Sequence, residues 1–212
     1  MIYDWQERDF TRELANSYNQ FALWLDKIDV WEQVLRNYSE DEVLELRMEF
    51  TTIPLDYCLT APYKFKSQIA FCATQLCYTQ GIERKLISKE SVLSDDKINV
   101  NALAAVAKYW NAGKSLVAAL QEIDAQQYRE LTANYRNRTQ HRHPQRLDHG
   151  HTANVERSFP QGSLVSYTFG ETLPLATGDV LPILVAEAAR LKAAFMKYRM
   201  LVDEHIDDKI EG

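Results

Sequence analysis

The residues best suited to chemistry in this 212-residue chain are crowded into one stretch. Arg136-Asn137-Arg138-Thr139-Gln140-His141 puts a guanidinium, a carboxamide and an imidazole within six residues. Arg142, His143, Arg146, His149 and His151 follow at once. On a helix, at about 100° per residue, Asn137 and His141 are four apart and share a face. The carboxamide can then hold the imidazole in one tautomer and orientation. Arg136 lies on a neighbouring face, and its long arm can swing toward the same pocket and pair with a phosphate. Cleavage of RNA needs a group that takes the 2′-hydroxyl proton or gives one to the leaving oxygen. It also needs positive charge on a phosphorane-like transition state. Imidazole, with an ordinary pKa of about 6.5, suits the first task, and Arg136 suits the second, with no metal ion required. Arg138, Arg142, His143 and Arg146 would hold the backbone without reading sequence.

Two other readings of the same window stand beside this one. Cationic side chains in the last turn of a helix complement its negative end, by about 0.3–1 kcal/mol each. A zinc site would draw on the histidine-rich tract, since neutral imidazole is a good zinc ligand. Against zinc, His141 and His143 straddle a helix end, no cysteine is close, and the nearby acids Asp148 and Glu156 have no familiar ligand spacing.

The series Arg136-Asn137, three intervening residues, His141 resembles the signature of the HEPN superfamily, the higher eukaryotes and prokaryotes nucleotide-binding domains. The position of the motif near the end of a late helix and the all-helical setting share in the resemblance. So does the layout downstream, a short strand-like insertion and then a long final helix, as in a bacterial subfamily of that group. The resemblance implies a metal-independent endoribonuclease without a cofactor, with Arg136, Asn137 and His141 at the catalytic site and RNA as substrate. It further implies a homodimer whose two motifs face one cleft, a toxin or defence role, and an antitoxin-like protein partner. A non-catalytic HEPN-like module that binds RNA, nucleotide or protein through the same residues is the alternative.

The elements that must position this motif read mostly as helices. Phe10, Leu14, Tyr18, Phe21 and Leu25 recur at steps of three and four, which marks a helix over about Glu7–Ile28. Ser39-Glu40-Asp41-Glu42 is a capping-box pattern that opens a second helix, interrupted or ended at Pro54. A third is expected after Pro62, running to Gly81. A long Ala-rich helix over about Asn101–Ile123 contains Gly113, which costs about 1 kcal/mol in propensity and marks a close helix–helix approach. The motif helix, about Asp124–Arg142, carries the apolar stripe Tyr128, Leu131 and Tyr135 and is stopped by Pro144. Asn137 and His141 lie roughly 200–240° around from Tyr135. They therefore face away from the core, toward a surface cleft or an interface.

Beyond Pro144 the period changes. Val165, Tyr167 and Phe169 alternate with Ser166 and Thr168, and Pro160-Gln161-Gly162 could turn a hairpin back on Asn154–Phe159. Thr177-Gly178-Asp179 then caps a final helix striped by Leu184, Ala188, Leu191, Phe195, Tyr198 and Val202. The expected architecture is a single all-α domain over 1–212. It is an antiparallel helical bundle with a small β-hairpin insertion, about 152–176, before the last helix.

Composition sets the remaining bounds. The net charge of −6 argues against a global nucleic-acid binder, yet Arg129–Arg157 holds six Arg against Glu130, Asp148 and Glu156. That stretch is +3 and the remainder −9, a basic island on an acidic body. Apolar runs fall far short of the roughly 20 residues that span a bilayer, and no secretory signal is visible, so a cytoplasmic protein without membrane contact is expected. Cys58, Cys72 and Cys77 lie in apolar stretches without C-x-x-C spacing and read as reduced core residues. Gly113-Lys114-Ser115 lacks the first glycine of a P-loop, since Lys108 stands there. The acidic residues around Glu40–Glu49 are a solvated helix face. Trp5, Trp24, Trp31 and Trp110 are read as core or interface residues.

Overall fold

A computed structural model describes residues 2–141, 143, 145–158 and 165–211, with side chains for all of these except Ile2, Asn154, Glu156, Lys209, Ile210 and Glu211. Arg142, the helix stop assigned to Pro144 and the turn at Pro160-Gln161-Gly162 lie outside the described residues. The chain is an all-α helical bundle with a small antiparallel β insertion before the last helix. Its helices are α1 (Ile2–Leu35), α2 (Glu40–Phe50), α3 (Thr52–Glu83), α4 (Val100–Ala107), α5 (Asn111–Glu122), α6 (Gln126–Leu131), α7 (Tyr135–His141) and α8 (Thr177–Glu211). Strands β1 (Thr152–Ser158) and β2 (Ser166–Thr172) pair antiparallel, with Val155 opposite Phe169. No helix among the described residues is long and apolar enough to cross a membrane.

The residues group into two compact units, one formed by 1–23, 61–126 and 185–212, the other by 24–60 and 127–184. In the first, Leu14, Phe21, Ile69, Leu76, Leu103, Leu116, Leu191 and Leu201 are buried. There the Trp110 indole donates to Asp208 Oδ2 at 3.0 Å, and the Tyr3 hydroxyl lies 2.8 Å from His205 Nδ1. In the second, Leu25, Ile28, Leu35, Leu55, Leu59, Tyr128, Tyr135, Leu147 and Val180 are buried. Cys58, Cys72 and Cys77 are free thiols within these cores, and burial pushes Cys58 and Cys72 up to about 12 and Cys77 further.

Several boundaries differ from the periodicity-based expectation, each for a physical reason. Helix α1 continues past Ile28 because Leu35 extends the buried stripe. Helix α3 begins before Pro62 and runs through it. Pro54 sits in its first turn, where a missing N–H costs nothing. At Pro62, burial of Leu55, Cys58, Leu59, Ala61 and Phe65 outweighs the roughly 3 kcal/mol cost of an interior proline. The Ala-rich helix is two helices, α4 and α5, joined at 108–110. Gly113 marks their close approach, since a Cβ there would collide with the carbonyl oxygen of Ala107. The capping box at α2 forms, with the Glu42 carboxylate accepting from the Ser39 backbone N–H (2.9 Å) and hydroxyl (2.6 Å).

Candidate functional site

The motif does not ride on one continuous helix. Ala133 and Asn134 take left-handed conformations (φ 50° and 53°), which separate α6 from α7. The Asn134 N–H reaches back to the Arg129 carbonyl at 2.5 Å, and the Ala133 N–H bonds the Glu130 carbonyl at 3.1 Å. These bonds are the usual satisfaction of a helix C-terminus whose exit residue is left-handed. The break leaves Tyr128 and Tyr135 buried but turns Leu131 out, at 51% exposure.

Within α7, Tyr135 anchors the helix. Its hydroxyl donates to Asp56 Oδ1 at 2.7 Å, and its pKa is raised by burial and by that bond. Arg136 and Arg138 are half-buried, while Asn137, Thr139, Gln140 and His141 are exposed. The expected direction of Asn137 and His141, away from the packed side, is therefore what the helix presents. Thr139 spends its hydroxyl on the Tyr135 carbonyl, 2.9 Å away. Although Asn137 and His141 share a face, no hydrogen bond joins them.

Downstream of α7, a second set of side chains gathers around a cleft of about 800 Å³. His143, Gln145, Arg146, His149 and His151 line it from the segment that leads into β1, Asp56 lines it from α3, and Tyr135 lines it from α7. Met48, Ile53 and Leu147 supply apolar wall. Of the residues expected to contact RNA, the cleft thus collects His143 and Arg146. Arg136, Asn137, Arg138 and His141 are not among its lining residues.

The segment that carries the cleft is held by an ion-pair network. Asp148, itself left-handed at φ 58°, receives Arg47 Nη1 at 2.7 Å. It also accepts the Thr177 backbone N–H (2.8 Å) and hydroxyl (2.5 Å) at the start of α8. Arg47 Nη2 meets Glu32 at 2.9 Å. Leu147 and Leu175 pair as an isolated parallel bridge, and the Arg146 N–H donates to Thr152 Oγ1 at 2.9 Å. Asp148 is therefore committed to structural contacts in this segment. Among the described residues no three His, Cys, Asp or Glu side chains converge as a metal set.

Sequence reasoning missed Gln145 and Asp56 as cleft residues, and named His149 and His151 only as members of the histidine window. Their types could have been noticed; their convergence depends on the Asp148 latch, for which the sequence carries no local signal. Compared with protein-family models, with curated proteins and with solved structures, the chain matches none.

Proposed function

We propose that the protein is a metal-independent endoribonuclease of HEPN type that acts on RNA through Arg136, Asn137 and His141. The observation that carries this reading is the presentation of the motif. Asn137 and His141 stand exposed on one face of α7, while the Tyr135 side of the helix is pinned to Asp56. In the homodimer that the resemblance implies, two such faces share one cleft, and that arrangement requires an outward-facing motif. His141, neutral, takes the proton of a 2′-hydroxyl, the 2′-oxygen bonds to phosphorus, and the 5′-oxygen leaves with a proton given by the protonated His141 of the partner subunit, so the two imidazoles exchange protonation states. Arg136 stabilises charge on the phosphoryl oxygens. A cytoplasmic toxin or defence effector, held in check by an antitoxin-like protein, is the setting that fits this activity.

One observation favours the rival reading, a non-catalytic module for RNA, nucleotide or protein. Asn137 makes no hydrogen bond to His141 within the chain, so the imidazole is not held by the residue meant to orient it. The two readings separate in one assay, in which single-stranded RNA is incubated with the protein in excess EDTA, beside Arg136→Ala and His141→Ala. Cleavage that survives chelation and disappears in both variants supports catalysis. RNA binding without cleavage leaves the module, and cleavage abolished by EDTA alone would point to a metal.

A further inference from the structure

The β hairpin of the second unit is poorly covered by its own chain. Its base is anchored, with Thr152 buried and the Leu147–Leu175 bridge beside it. Beyond that base Ala153, Val155, Arg157 and Ser158 of β1 and residues 166–171 of β2 are exposed. Two antiparallel strands alone are marginal in water, and such a pair gains stability when a third strand or another surface packs on its apolar side.

The register shows which side that is. Val155 pairs with Phe169, Arg157 with Tyr167 and Ala153 with Glu171. Opposite residues, and those two positions along, share a face. One face therefore carries Ala153, Val155, Arg157, Tyr167, Phe169 and Glu171, while Ser158, Ser166 and Thr168 belong to the other. Val155 and Tyr167 are each 55% exposed and Phe169 is 78% exposed, and the exposed Val165 and Leu173 extend the apolar surface beyond the ends of β2. These five side chains expose about 500 Å² per copy, so a two-fold contact would bury roughly 1,000 Å², where specific interfaces begin. The charges of the face say what fits it. Arg157 lies beside Tyr167 at one end, and Glu171 lies beside Ala153 at the other, on the opposite strand. A two-fold axis through the central Val155–Phe169 pair lays Arg157 of each copy over Glu171 of the partner subunit and brings the two Phe169 rings together. A face with opposite charges on its diagonal is complementary to itself. A guanidinium has five N–H donors, so Arg157 can keep contacts within its own chain and still meet a carboxylate across the axis.

We propose that this face is a self-association surface on which a second copy of the chain seats its own hairpin. The two hairpins pack face to face as two layers, with Phe169 and Val155 at the centre and an Arg157–Glu171 pair at each end. The contact uses neither Arg136 nor His141. It is an interface distinct from the motif-to-motif pairing of the proposed ribonuclease, and it holds whether or not that pairing exists.

The test is sedimentation equilibrium of the full chain from about 1 to 100 µM, where an interface of this size should assemble. Particles of the unaltered chain are expected to hold twice as many copies as those of Phe169→Glu, a change at an exposed site; circular dichroism checks that the variant is folded. The same twofold ratio should persist in His141→Ala and Arg136→Ala backgrounds, so failure of this interface and failure of the ribonuclease reading are told apart. Arg157→Glu and Glu171→Arg each set like charges across the axis and should weaken association at least tenfold. Mixed one to one, these two variants regain both pairs, so they should associate with each other about as well as the unaltered chain does with itself. Equal particle masses for the unaltered chain and Phe169→Glu overturn the proposal and leave the face to a different partner. Charge variants that associate as the unaltered chain does, or that do not recover on mixing, overturn it as well.

Discussion

Over seven residues α7 passes from a buried tyrosine to an exposed histidine, and that gradient separates two kinds of substitution. Tyr135→Phe deletes the hydrogen bond to Asp56 and should cost about 1–2 kcal/mol in denaturant unfolding. His141→Ala removes an exposed side chain and should change stability by less than about 0.5 kcal/mol, while lowering RNA cleavage about 10²- to 10⁴-fold. A cleavage loss in His141→Ala accompanied by equal loss of stability would mean that the residue is structural. The cysteines behave oppositely to reactive residues: with Cys58 and Cys72 pushed up to about 12 by burial, the thiolate is scarce at neutral pH. Native protein should therefore leave all three thiols unmodified by a disulfide reagent at pH 8, and denatured protein should titrate as three.

At the scale of elements, the decisive features are breaks. The helical stripes, the capping box at Ser39 and the hairpin alternation were all legible, because each writes a period or a spacing into the residues themselves. The turn at Ala133-Asn134 was not, since neither glycine nor proline marks it and an alanine takes the first left-handed position. That alanine costs roughly 1–2 kcal/mol relative to a residue without Cβ. Ala133→Gly should consequently stabilise the fold by about 1 kcal/mol, and destabilisation would argue that the break is not left-handed. Gly113 is the reverse case. Alanine would gain about 1 kcal/mol of helix propensity, but its Cβ meets the Ala107 carbonyl, a backbone atom that cannot rotate away. Overpacking of this kind costs about 1–3 kcal/mol, so Gly113→Ala should be net destabilising in a thermal melt.

For the whole molecule, the −6 net charge conceals a +3 stretch at 129–157, and this asymmetry was readable from composition alone. The cleft was not, because it needs Asp56, Tyr135 and the 143–151 segment to converge from distant parts of the chain. Nor was the latch of Arg47, Asp148 and Thr177 that fixes that segment. If Arg136, Arg138 and Arg146 hold about three phosphates, as the proposed function requires, log affinity for single-stranded RNA should fall against log salt with a slope of roughly −2. A flat salt dependence would remove the basic stretch from the interface. The central claim concerns bond chemistry at phosphorus, and the ends of the products report it most directly. In excess EDTA, RNA cut by 2′-hydroxyl attack should yield 2′,3′-cyclic phosphate and 5′-hydroxyl ends by mass spectrometry, and the same strand with 2′-deoxy sugars should stay intact. Products with 3′-hydroxyl and 5′-phosphate ends, or cleavage of the deoxy strand, would contradict the account.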